Sequence, residues 1–136
     1  MALLNPYVSF DGNCKEAMNF YKDALGGDLV INLVNSMPEM AAQMPDNLKD
    51  HVLHSVLTNG GLVLMGTDMC RDDRIEGTTV HLNVNCENDE EVDDIFNKLS
   101  AGGKVVESPK DMPWGGRFAA FDDKFGKHWM LNFQKR

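Results

Sequence analysis

"NCKEAMNFYKDALGG", residues 13–27, settles the fold of this chain because the same pattern returns as "NDEEVDDIFNKLSAGG", residues 88–103. In the first copy Asn13 and Glu16 stand at the spacing of an N-cap and its N3 partner, a capping-box-like helix start. Ala17, Phe20, Tyr21 and Leu25 then fall on one helical face, and Gly26-Gly27 supplies the stop. In the second copy Asn88 and Glu91 repeat the cap. Val92, Ile95, Phe96 and Leu99 repeat the apolar face, and Gly102-Gly103 the stop. Asn13 to Asn88, Glu16 to Glu91 and Phe20-Tyr21 to Ile95-Phe96 share one offset of 75 positions.

Strand-like runs surround both helices. "PYVSF" (6–10) precedes the first and "TVHLNV" (79–84) the second. After the first come "DLVINLVN" (28–35) and "HVLHSVLTNGGLVLMG" (51–66), the latter a hairpin turning at Asn59-Gly60. After the second come "KVVES" (104–108) and "RFAAFDDKFGKHWMLNF" (117–133), a hairpin turning near Lys124–Gly126. Met65 matches Met130 at an offset of 65. The order is therefore strand–helix–strand–strand–strand, twice. A period this long is a duplicated α+β module rather than a solenoid repeat. In each module one helix covers one face of a small sheet, and the other face is buried or lines something. Module one spans about 1–67, a polar linker about 68–77, and module two about 78–136, within one domain of 136 residues. An insert, "SMPEMAAQMPDNLKD" (36–50), carries Ser36 and Glu39 at capping-box spacing. Its Met37, Met40 and Met44 suit core, dimer contact or an adaptable lid.

Bulk composition removes several classes of partner. With 13 Lys and Arg against 21 Asp and Glu, the net charge is −8. Nucleic acid is not expected, because phosphate contacts need a basic surface, and neither is an anionic membrane surface. No apolar run is long enough for a transmembrane helix and no secretory leader is evident, so a cytoplasmic location is expected. The three cysteines, Cys14, Cys70 and Cys86, are widely spaced without CxxC, against a disulfide scaffold or zinc knuckle. Cys14 sits at a helix start, where a thiol pKa is lowered, but lacks an evident base partner. The Gly-Gly pairs mark helix ends and turns, and no P-loop, GxGxxG or nucleophile elbow occurs.

The pieces "NPYVSFDGNCKEAMNFYKDALGG", "HSVLTNGGLVLMGTD" and "MPWGGRFAAFDDKFGKHWMLN" cover most of the chain. As a set they resemble the PhnB-like branch of the vicinal-oxygen-chelate superfamily, which includes glyoxalase I, bleomycin-resistance proteins and extradiol dioxygenases. The resemblance implies two tandem βαβββ modules whose curved mixed sheets enclose a cavity, commonly in a homodimer. In metal-using relatives four side chains enter that cavity, from the first and last strands of each module. Carried onto this chain, those places fall at Asn5 or Pro6, Met65, His81 or Val80, and Met130. Of these only His81 is a conventional divalent-metal ligand, and thioether sulfur suits a hard or borderline cation poorly. The resemblance thus implies a degenerate metal site, with no cofactor expected and no metal ligands assigned.

Other candidates for the cavity follow from pattern. His54 reads as a hydrogen-bonded, partly buried histidine or as a polar acid–base group facing a ligand. His81, Asn83 and Asn85 share one face of their strand, which meets solvent or orients a ligand. Trp114 and Arg117 in "PWGGRF" are either loop anchors or an aromatic wall and a cation for an anionic substrate. The expected function is binding of a small, partly apolar molecule by His54, Met65, His81, Asn83, Trp114, Arg117 and Met130, with catalytic residues unassigned. The alternative is a metal-dependent lyase, isomerase or dioxygenase of the same superfamily.

Overall fold

A computed structural model describes residues 1–134 as two compact units, Met1–Arg74 and a second beginning at Ile75. In the first, β1 (Tyr7–Ser9), α1 (Cys14–Leu25), β2 (Asp28–Leu33), a short α2 (Pro38–Ala41), β3 (Val52–Asn59) and β4 (Leu62–Thr67) follow in order. The sheet runs β1-β4-β3-β2. β1 is parallel to β4 and the other pairs are antiparallel. In the second, β5 (Leu82–Asn85), α3 (Asp89–Leu99), β6 (Lys104–Met112), β7 (Gly116–Asp122) and β8 (His128–Gln134) form β5-β8-β7-β6. Again the first strand pairs in parallel with the last. The duplicated α+β module is thus present as two open, mixed, four-stranded sheets, each with one long helix. Among the described residues no helix is long and apolar enough to cross a membrane.

Both helices pack through the stripe that periodicity marks, with one shift. α1 buries Cys14, Ala17, Met18, Tyr21, Ala24 and Leu25, and Phe20 is only half-buried. The sheet answers with a glycine where the helix comes closest. A Cβ on Gly66 would lie 2.8 Å from Met18 Sδ and 3.2 Å from Cys14 Sγ. α3 buries Val92, Ile95 and Leu99, and its Phe96 meets Phe121 edge-on with centroids 5.6 Å apart. Such a pair adds about 0.5–1.5 kcal/mol beyond its area.

The helix starts differ from expectation. Asn88 caps α3, accepting from Glu91 N at 2.8 Å, while Glu91 accepts from Glu87 N at 3.0 Å. Asn13 makes no side-chain cap bond. Its role passes to Asp68, which was expected in a solvated linker and is only 6% exposed. Asp68 Oδ1 accepts from Gly12 N at 2.9 Å and Cys14 N at 3.0 Å, and Oδ2 from Val52 N at 2.8 Å. One carboxylate thus ties the start of α1 to the start of β3. A carboxylate oxygen accepts such bonds more strongly than an amide oxygen does.

Smaller corrections follow the same logic. Ser36 donates to Leu33 O instead of capping, and α2 starts after Met37 with Pro38 at its first turn. The first hairpin turns at Gly60-Gly61, because Asn59 already pairs with Leu62, and Gly60 takes the left-handed φ of 59°. β5 begins at Leu82, so His81 precedes the strand on which it was expected. In the second hairpin Asp123, 3% exposed, accepts from Phe125 N, Lys127 N and Trp129 Nε1 at 2.8–3.0 Å. The charged turn is therefore built around one buried carboxylate.

Candidate functional site

Strand alternation divides each sheet into a helix face and an uncovered face. In the first sheet Ser55 Oγ lies 3.6 Å from Cys14 Sγ, and Gly66 abuts α1, which fixes the helix face. His54, Val56 and Met65 consequently point the other way. The register places Tyr7, Met65, Val56 and Val30 in one row across all four strands, with Asn32 beside His54 in the next. Tyr7 Oη lies 2.9 Å from His54 Nδ1, and the rings meet edge-on at 5.6 Å. This pair spans from β1 to β3, over the intervening β4.

In the second sheet Trp129 and Leu131 are buried and Phe121 meets α3, so Met130 and Ala120 point away from the helix. Asn83 pairs with Met130 and Asn85 with Asn132 on that same uncovered face, and Asn83 Nδ2 donates to Asn85 Oδ1 at 3.1 Å. His81 precedes them, its ring 5.6 Å from that of His128. His128 Nδ1 meets Asp122 Oδ1 at 2.5 Å and Nε2 meets the Gly77 carbonyl at 2.6 Å. Both partners are acceptors, so this arrangement favours the doubly protonated ring. The Asp122 carboxylate first, then the Gly77 carbonyl, raises its pKa above the ordinary histidine value. Lys127 pairs with Glu76 at 2.7 Å beside it.

The expected site residues therefore divide. His54 and Met65 share the uncovered face of the first sheet, and His81, Asn83 and Met130 that of the second. Arg117 does not join them. It lies on the helix side, donating to Asp93 of α3 at 2.8 Å and to Asp111 of β6 at 2.9 Å, which is its loop-anchoring role. Those two carboxylates, Asp93 before Asp111, raise its pKa further. Trp114 occupies the β6–β7 turn and is 63% exposed, without the packing that an anchor would show. Cys14 and Cys86 are pushed up to about 11 by burial, so neither is a thiolate at neutral pH. Tyr7, Asn32 and the His128–Asp122 pair were missed. Alternation in "YVS" and "DLVINL" marks the faces of Tyr7 and Asn32, but nothing local marks their neighbours.

A match to the Glyoxalase/Bleomycin resistance protein/Dioxygenase superfamily covers residues 3–131. The chain belongs to this superfamily. Protein YjdN of Escherichia coli (strain K12) is 28% identical over 141 residues, spanning 98% of this chain and 96% of that protein. The structure of protein PA1353 from Pseudomonas aeruginosa is similar at a TM-score of 0.85 and 29% identity, over the full length of both chains. The PhnB protein of Bacillus cereus follows at 0.76 and 25% identity, over 97% of this chain and 99% of that one. Membership in the glyoxalase superfamily makes a metal the natural question. Among the described residues no three His, Cys, Asp or Glu side chains come together to hold one. Of the four expected places, two carry methionine, Met65 and Met130, and only His81 offers a conventional ligand. The donor set does not fit a divalent cation.

Proposed function

We propose that this PhnB-like chain binds a small, partly apolar molecule on the uncovered sheet faces, without a catalytic metal. One observation carries the reading: Met65 and Met130 occupy matching places on the last strand of each module, on the face turned from the helix. Thioethers supply adaptable apolar contact, while His54 in one sheet and His81 and Asn83 in the other supply orienting polar groups. Trp114 adds an exposed aromatic ring, and Arg117 contributes through the fold. As part of the same reading the protein acts in the cytoplasm as a homodimer, which family likeness supports and sedimentation tests.

A thermal-shift screen of small neutral and aromatic compounds tests the binding. A compound present at 100 times its Kd adds about 2.7 kcal/mol of stability. Met65→Ala or Met130→Ala weakens the response. Finding about one transition metal per chain in purified protein, lost on His81→Ala, overturns the reading in favour of a metal-dependent enzyme.

A further inference from the structure

The first sheet's uncovered face holds an arrangement that binding alone does not require. His54 has Nδ1 on the Tyr7 hydroxyl, and its Nε2 makes no hydrogen bond among the described residues. The Asn32 side chain, on the cross-strand neighbour of His54, is likewise unpartnered there. Directly opposed residues hold their Cβ atoms about 4.5–5.5 Å apart. The free imidazole nitrogen and the free amide therefore flank the same spot. Tyr7 is 49% exposed and Val30 54% exposed, so the spot is open. Val30, Val56 and Met65 form its apolar floor.

The partner of His54 matters chemically. A hydroxyl both donates and accepts. When Tyr7 Oη accepts from Nδ1–H, Nε2 presents a lone pair and is a base. Once Nε2 has taken a proton the ring is an imidazolium, its Nδ1–H still donates to Tyr7, and Nε2–H is the acid that returns the proton. One contact thus supports both forms, as a proton-transfer group requires. The face also limits the substrate. By strand alternation it presents no Lys or Arg from β1 to β4, and its only formal charge is Asp28 at the far end of β2. An anionic ligand finds no counter-charge there, whereas a neutral carbonyl finds one amide donor and an apolar floor.

We propose that Tyr7, His54 and Asn32 form an acid–base site that enolises a small neutral ketone or aldehyde held on Val30, Val56 and Met65. The C–H bond next to the carbonyl breaks and its proton passes to His54 Nε2. The C–H electron pair becomes the new C=C bond, and the carbonyl π pair moves onto oxygen, where Asn32 Nδ2–H donates to it. Return of a proton to the same carbon restores the carbonyl and completes exchange, with no net oxidation. The inference rests on the uncovered face being the binding face, and the test separates the two.

The probe is 2-tetralone in D2O, with deuterium entry at C1 followed by NMR. His54 ionisation is measured on the same protein from its ring carbon resonances. The full chain is expected to accelerate exchange, with a rate that rises with pH through the measured His54 titration. His54→Gln lowers the accelerated rate by about 10²-fold, the scale of one general base. Tyr7→Phe keeps the ring and the packing but shifts the pH profile and the His54 tautomer signature. Asn32→Ala lowers the rate without moving the His54 titration. His51→Gln leaves the rate unchanged. Exchange equal in His54→Gln and wild type overturns the proposal. Perturbation of the Met65 methyl by 2-tetralone without accelerated exchange overturns the acid–base site and leaves binding standing. Neither perturbation nor exchange overturns both.

Discussion

The two modules share a topology and differ in how each secures it. Module one holds its helix start from a distance, through Asp68 beyond β4, and closes its hairpin with Gly60-Gly61 alone. Module two caps its helix locally with Asn88 and secures its hairpin with the buried Asp123. Their histidines differ in the same spirit. His54 shares one nitrogen with a hydroxyl and leaves the other without a partner among the described residues, whereas His128 spends both on acceptors. A duplicated fold thus specifies where a side chain points, and its partners specify whether it remains available. On one uncovered face the histidine has a ring nitrogen with no partner among the described residues, and on the other both ring nitrogens are engaged by the fold.

The sharpest way to break this comparison is Asp68→Ala. It strands three backbone donors, each costing about 1–3 kcal/mol when left unsatisfied, so a loss on the order of 3–5 kcal/mol is expected in denaturant melts. A loss below 1 kcal/mol would mean that α1 does not depend on its distant cap. Next comes Gly66→Ala, where the added methyl meets Met18 and Cys14. Overpacking of this kind costs about 1–3 kcal/mol. The two asparagines then provide a matched pair. Asn88→Ala should cost about 1 kcal/mol as a true N-cap, and Asn13→Ala close to nothing. Equal losses would erase the difference between the helix starts.

The smallest expected effect is a slope. The folded His128 pKa lies above its ordinary value, so its contribution is complete below the unfolded pKa of about 6.5. That contribution is lost as pH rises through the folded pKa, and stability should fall across that window. His128→Gln should flatten this part of the stability–pH curve, while Asp122→Asn should lower the His128 titration seen by NMR. An unchanged His128 titration in Asp122→Asn would contradict the clamp.

Much of the candidate site was legible because alternation and periodicity are local. The faces of Met65, Met130 and Asn83 follow from their places in two-residue repeats, and the offset of 65 relates the two methionines. Arg117 was less so: it can be located in the loop-to-strand sequence, but its carboxylate partners lie 24 and 6 positions away. The single missing signal for Tyr7 was its partner, not its place.

By itself the sequence determined the doubled strand–helix–strand–strand–strand order, the apolar helix stripes and the cap at Asn88. Each element depends on residues within a turn or two of one another, and the doubling shows as one such pattern written twice. Only the tertiary structure decided that Asp68 caps a helix 54 positions away, that Tyr7 meets His54 across 47, and that His128 reaches Gly77 across 51. Those contacts join positions that are close in the folded module and far apart along the chain. Periodicity fixes which way a side chain faces. Which donor or acceptor it finds there is settled when the strands are laid side by side.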